Sequence, residues 1–175
     1  MAGMTFKGET QFEDWAKRFH EQYDEGSRLE KEFKLTRKLV LTARRWTSFA
    51  DDLVRKRTQH SRARWQTLSA LAFSEGSVGT LELAGRLAVR WPTLIRVLNE
   101  LEREGLIRRE PDRTDRRTRL IMITPEGRRL MSRVRDILDP ARSRVLAKFS
   151  DEDLVTAERV LDEIFTHLVA ELDNW

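Results

Sequence analysis

Four arginines, Arg113, Arg116, Arg117 and Arg119, crowd into seven residues beside the stretch Pro111-Asp112-Arg113-Thr114-Asp115. A guanidinium is planar, permanently charged and matched in shape to phosphates and base edges. Four of them on one turn repel one another unless a polyanion relieves the repulsion, and a narrow DNA minor groove attracts arginine strongly. Asp115, between Arg113 and Arg116, suits pairing with a neighbouring arginine to hold the turn. Some twenty residues upstream, Trp91, Pro92, Thr93 and Arg96 are the outward set at the start of a helix whose Leu94, Leu98 and Leu101 turn inward. From there Arg96 can bond guanine in bidentate fashion, and Thr93 can meet a thymine methyl or a phosphate. The plainer alternative for each group is a solvated charged face.

Other chemistries find no support in the sequence. His20, His60 and His167 are scattered on three helices without a His-x-x-x-His pair, and neither a Gly-x-Gly-x-x-Gly nor a phosphate-loop pattern occurs. With no cysteine, disulfide scaffolds, thiolate metal sites and cysteine nucleophiles are all removed. The expectation is a protein that is not an enzyme and needs neither cofactor nor metal. A purely architectural or protein-binding helical module is the remaining rival, and it leaves the arginine-rich turn without a reason.

The elements that must carry these residues follow from spacing. Thr10 with Glu13 makes a capping box ahead of Phe12, Trp15, Phe19 and Tyr23, which predicts a short amphipathic helix; it either braces a dimer or docks loosely on the surface. Gly26 is a stop. Ser27 with Glu30 then opens a long helix to about Arg57, with Leu29, Phe33, Val40, Ala43, Trp46, Ala50 and Leu53 at three- or four-residue intervals. Ser61 can cap a helix over 62–73, and Ser74 to Gly79 is expected to be a loop. Thr80 begins a short helix through Leu87, and Pro92 falls in the first turn of the next, which stops at Gly105. Leu106 to Glu110 and Thr118 to Ile123 are short strand-like runs, so the charged stretch between them is a hairpin tip. Thr124-Pro125 starts a helix towards Phe149, bent at Pro140. Ser150 with Asp153 caps the last one, striped by Leu154, Ala157, Leu161, Ile164 or Phe165, Leu168 and Leu172.

Two short helices followed at once by a basic hairpin make a winged helix-turn-helix, in which the second helix enters the major groove and the wing reaches the minor groove. The fold class is therefore mainly α with a small β-hairpin wing: a winged helix-turn-helix domain plus a helical dimerisation domain. The expected divisions are an N-terminal extension over 1–27, a dimerisation helix over 28–60, the DNA-binding domain over 61–128 and C-terminal dimerisation helices over 129–175. Charge follows the same partition. The 175-residue chain carries 33 Lys and Arg against 29 Asp and Glu, yet Gly105 to Arg135 holds ten arginines and four acids, whereas Phe149 to Trp175 holds eight acids and Arg159 alone. One segment suits a polyanion and the other does not. No apolar run approaches the roughly 20 residues of a membrane span, and the first residues lack an apolar signal core, so the expected location is the cytoplasm.

The segment Arg90 to Gly127 resembles the DNA-binding core of the MarR family of bacterial transcriptional regulators. The markers are Leu101 with Gly105-Leu106-Ile107, the Asp115-Arg116-Arg117 wing, and Ile123-Thr124 with Gly127. Arg64-Trp65-Gln66-Thr67-Leu68 and Pro92-Thr93-Leu94-Ile95-Arg96 are most similar to the SlyA branch, and the likeness extends from Leu39 to about Met131. The resemblance implies a homodimer on double-stranded, pseudo-palindromic operator DNA, most often as a repressor. Residues matching Pro92, Thr93 and Arg96 would face the major groove, and Arg116 or Arg117 would enter the minor groove. Trp91 replaces the small or polar residue often found there. The resemblance also implies a small aromatic carboxylate or related thioester as effector, with Arg45 meeting the carboxylate and Trp65 lining the pocket; Trp46, Phe49 and His60 are neighbours by spacing. Ala63 and Val97 lack a hydroxyl present in some relatives, which argues against salicylate itself. Without the resemblance, Trp46 and Trp65 read equally well as core residues and Arg45 as an interhelical ion-pair partner.

Overall fold

The computed structural model describes residues 22–87, 89–112 and 119–173. The chain divides into two compact units, Met1–Asp52 and Leu53–Trp175. The predicted helix ahead of Tyr23 lies outside the described residues, apart from Tyr23 itself, which sits in a bend and stacks on Phe33 with ring centroids 5.3 Å apart. Helix α1, Arg28–Thr58, starts where expected. Gly26 takes the left-handed conformation (φ 76°), and the Ser27 Oγ accepts a hydrogen bond from the Glu30 amide at 3.1 Å. The Glu30 carboxylate reaches one residue beyond the expected box, accepting from the Gly26 amide at 2.8 Å, and pairs with Lys34 at 2.8 Å. The apolar stripe of α1 is only partly covered: Ala50 is buried, whereas Leu29, Val40 and Ala43 are exposed.

The second unit holds α2 (Arg62–Ala72), β1 (Val78–Gly79), α3 (Thr80–Leu87), α4 (Trp91–Arg103), β2 (Ile107–Pro111), β3 (Arg119–Ile123), α5 (Pro125–Leu146) and α6 (Asp151–Asp173). The mainly helical class with a small antiparallel wing is what the spacing predicted. The three strands are ordered β1-β3-β2, with Val78 opposite Ile121 and Ile107 opposite Ile123. One core joins helices and sheet: Leu68 and Leu71 of α2, Leu83 of α3, Leu94, Val97, Leu98 and Leu101 of α4, and Ile107, Ile121 and Leu130 are all buried. Burial of an aliphatic side chain is worth about 1.5–3 kcal/mol, so this core fixes α4 against the sheet.

Several expectations need correction. The stretch expected to be a loop contains β1, because two paired residues are too short for any periodicity to reveal. Ser61 stands at the N-cap of α2 with extended backbone, but its side chain makes no cap hydrogen bond. That helix ends at Ala72, and Phe73 is exposed. Strand β2 starts one residue late and takes Pro111 as its last residue, where register with Arg119 needs no donated bond from proline. Helix α5 has Pro140 inside it and ends at Leu146, short of Phe149. Ser150 and Asp153 do form the reciprocal cap, with the Asp153 amide 3.1 Å from the Ser150 Oγ and the Ser150 amide 3.0 Å from the Asp153 carboxylate. Among the described residues no helix is long and apolar enough to cross a membrane, and no His, Asp and Glu cluster could hold a metal ion.

Candidate nucleic-acid interface

The first turn of α4 is presented outward by its own buried face. Leu94, Val97, Leu98 and Leu101 are all under 4 % exposed, which leaves Trp91, Pro92, Thr93 and Arg96 on the solvent side. Val97 belongs to the inward set beside the three leucines that spacing singled out. Arg90 at the N-cap has extended backbone and no side-chain cap; its carbonyl accepts from the Thr93 and Leu94 amides at 3.0 and 3.1 Å, and Pro92 has no amide hydrogen to satisfy. Thr80 ties α3 to the wing by donating to the Arg119 carbonyl at 3.3 Å. Arg113, Asp115, Arg116 and Arg117 lie outside the described residues; the strands before and after them, β2 and β3, are paired from Ile107 with Ile123 to Pro111 with Arg119.

The exit of α4 and the base of the wing are locked together. Gly105 is left-handed (φ 69°), and its amide bonds the Glu102 carbonyl while the Leu106 amide bonds that of Leu101, both at 2.9 Å. These paired bonds close the helix in a Schellman turn. Thr124 then joins both ends of the hairpin to α5. Its hydroxyl donates to the Gly105 carbonyl at 2.7 Å and accepts from the Gly127 amide at 3.1 Å, while its own amide bonds the Leu106 carbonyl at 3.1 Å. A Cβ on Gly127 would lie 2.2 Å from that same Leu106 oxygen and 2.7 Å from the Ile123 side chain, so only glycine allows α5 to start there.

Two ion pairs at the end of α4 go beyond what the spacing predicts. Arg109 of β2 donates from Nε to the Glu102 carboxylate at 2.9 Å and from Nη2 to the Asn99 carbonyl oxygen at 2.7 Å. Arg64 of α2 pairs with Glu104. Strand alternation carried the only hint: Arg109 is two residues from apolar Ile107 and so shares its face. The bond from Arg109 holds the Glu102 carboxyl below its ordinary value of 4.5. Because the folded value is the lower one, this pairing is complete above the ordinary carboxylate range and is lost as pH falls through the depressed value. A carboxyl NMR titration is expected to place the Glu102 midpoint below 4.5 in the parent and to return it towards 4.5 in Arg109→Gln; equal midpoints would remove the pairing.

The residues expected around a small ligand divide between the two compact units. Arg45, Trp46 and Phe49 are on α1 in the first, where Arg45 is exposed and the Trp46 and Phe49 rings are 5.9 Å apart. His60 and Trp65 are in the second. His60 follows Gln59, a left-handed residue (φ 63°) at the α1–α2 junction. Burial, followed by the nearby Arg64 charge, lowers the His60 pKa from its ordinary 6.5, so the imidazole is mainly neutral at pH 7. Trp65 lines a groove of about 400 Å³ between α2 and α5, together with Phe73, Met131, Leu138, Arg128 and Arg135. Its indole Nε1 is buried there without a hydrogen-bond partner.

Residues 61–118 match the MarR family model. The transcriptional regulator PA3341 superposes with a TM-score of 0.67 at 32% identity, over 78% of this chain and 98% of that one. The chain belongs to the MarR family. BldR from Sulfolobus solfataricus, also a transcriptional regulator, shares the fold at a TM-score of 0.69 and 22% identity, covering 81% of this chain and 99% of that one. A single-site mutant of MarR from E. coli, solved in complex with operator DNA, shares it at 0.65 and 16% identity, covering 79% and 99%. The family and these neighbours are transcriptional regulators rather than enzymes. Within this MarR-family chain, two of the three marker groups now have physical reasons: Leu101 and Gly105 close α4, Thr124 bridges the hairpin base, and Gly127 admits the Leu106 carbonyl; the third, Asp115-Arg116-Arg117, lies outside the described residues.

Proposed function

We propose that this protein binds a pseudo-palindromic operator in double-stranded DNA as a homodimer and represses transcription until a small aromatic carboxylate or related thioester releases it. The observation that carries the proposal is the exposed first turn of α4, with Trp91, Pro92, Thr93 and Arg96 outward, followed in the sequence by the arginine-rich stretch Arg113 to Arg119. The operator complex of E. coli MarR supports the DNA partner. In this proposal α4 enters the major groove, Arg96 reads a base, and Arg113, Arg116 and Arg117 supply phosphate and minor-groove attraction. The homodimer is supported by α6, where Leu161, Phe165, Leu168 and Leu172 are exposed along one acidic helix. The division at 1–27, 28–60, 61–128 and 129–175 follows, with helices on both sides of the DNA-binding domain serving the dimer. We assign the protein to the cytoplasm, where its DNA target lies, and to the SlyA-like branch, on the residues from Arg64 to Leu68 and from Pro92 to Arg96.

The effector is assigned to Arg45, Trp46, Phe49, His60 and Trp65, with the Arg45 guanidinium on the carboxylate and Trp65 on the ring. The groove at Trp65, with an unpartnered indole N–H, supports an aromatic guest there. Such a ligand acts only through its preference for the DNA-incompetent state, and a coupling of about 1–3 kcal/mol would weaken the operator complex roughly 5- to 150-fold.

Footprinting on the DNA upstream of its own gene, with aromatic acids and their thioesters screened for release, tests the whole proposal. Sequence-selective protection is expected, with half-sites about one helical turn apart; protection that ignores sequence would mark an architectural protein, and no release would mark a ligand-independent regulator. The two arginine classes separate by variant. Arg96→Ala is expected to relax preference at one operator position by about 1–3 kcal/mol. Arg117→Ala is expected to weaken binding to all sequences and to flatten its salt dependence. An unchanged salt slope in the second variant would remove the wing from the groove.

A further inference from the structure

Strand β2 alternates. Ile107 is buried, Arg108 and Glu110 are exposed, and Arg109 lies on the Ile107 side, half-buried against α4. Its guanidinium is committed there, to Glu102 at 2.9 Å and to Asn99 at 2.7 Å. Arg108, on the other face, has Glu110 at 3.4 Å and stays open to solvent. Asn99 and Glu102 are three residues apart on α4, hence neighbours on one flank, and Asn99 is itself three residues after Arg96. A guanidinium has only donors, so Asn99 must turn its carbonyl oxygen towards Arg109 and its NH2 group away. On the opposite flank Arg64 pairs with Glu104, so the end of α4 is held from the α2 side and from the wing side at once.

The geometry points to Arg109 as a positioning residue that, with Glu102 and Asn99, sets the attitude of the wing on α4 and makes no DNA contact of its own. It rests on the DNA-binding function proposed above. Both the first turn of α4 and the hairpin tip must meet one duplex together, in adjacent grooves whose separation is dictated by the DNA. A wing free to pivot on α4 would still bring positive charge to phosphates but would no longer place its tip in register with the bases read by α4. The clamp therefore governs selectivity more than total attraction.

Removing the acid distinguishes this from a direct role for Arg109, because the two roles give effects of opposite sign. Glu102→Ala deletes a negative charge and frees a guanidinium beside the interface. If Arg109 contacted DNA, that change would tighten binding. As a clamp partner, its loss is expected to lower the ratio of affinity for a duplex selected by the unmodified protein from a random-sequence pool to affinity for poly(dI-dC), by roughly tenfold. Affinity for poly(dI-dC) is expected to stay level or rise slightly, and hydroxyl-radical protection by the wing is expected to blur while protection at the α4 contacts persists. The isosteric Glu102→Gln is run beside it, and the exchanged pair E102R/R109E is expected to recover part of the lost ratio; a change in melting temperature alone cannot produce that recovery. Tighter or unchanged binding of the selected duplex by Glu102→Ala, with a sharp wing footprint, overturns the clamp and leaves DNA binding intact. If the unmodified protein selects no duplex, the DNA-binding function falls and the clamp with it.

Discussion

Replacing Leu161 and Leu168 together with glutamate is expected to yield a monomer, or a chain that does not fold, and to lower operator affinity by about two orders of magnitude or more through loss of bivalent engagement. The physical reason lies in α6. Over Asp151–Asp173 the helix keeps Leu161, Phe165, Leu168 and Leu172 between 47% and 73% exposed, a continuous apolar stripe on a segment rich in acids. Contiguous apolar surface of this kind marks an interaction site, and large apolar isologous interfaces are the common way to cover it. Burying one leucine is worth about 1.5–3 kcal/mol, and two carboxylates at the same positions on both partners would meet desolvation and like-charge repulsion. Light scattering or sedimentation at micromolar concentration decides it. A well-folded monomer of the unmodified protein would refute the dimer, and a dimeric double variant would move the interface away from α6.

Gly127→Ala is expected to destabilise the DNA-binding unit by about 2 kcal/mol, although alanine is the better helix former by about 1 kcal/mol. The added methyl would lie 2.2 Å from the Leu106 carbonyl oxygen and 2.7 Å from Ile123. Neither neighbour yields cheaply. The Leu106 oxygen is backbone and accepts the Thr124 amide at 3.1 Å, while Ile123 is a buried residue in β3 opposite Ile107. Relief requires α5 to move off the hairpin base, which would break the Thr124 bonds to Gly105 and Leu106 together. Denaturant unfolding measures the loss, and urea is suitable because the slope should be unchanged if the native fold survives. A stability gain would show that the start of α5 relaxes freely, removing the close approach as the reason for glycine at this position.

The parts of the fold legible in the sequence are those in which cause and effect are a few residues apart. Gly26 and Ser27 open α1, Gly105 closes α4, Thr124 caps α5 and Ser150 caps α6, each through bonds spanning no more than five residues. Leu94, Leu98 and Leu101 follow a helical period that marks the inward face of α4, and Trp91, Pro92, Thr93 and Arg96 lie on its complement, which makes that outward face legible in the sequence, whereas Val97 joins the inward set only in the fold. What the tertiary structure decided is whatever depends on partners far along the chain. Val78 becomes a strand only because Ile121, more than forty residues later, offers its backbone. The Thr124 hydroxyl serves both its own helix and the Gly105 carbonyl, and Gly127 is required by a carbonyl from another element. Arg109 looked like one more basic residue among ten; only the packing of β2 on α4 put Glu102 and Asn99 within its reach and withdrew it from solvent. Local hydrogen-bond geometry and helical period are written residue by residue, whereas a contact between distant elements exists only after the core has brought them together.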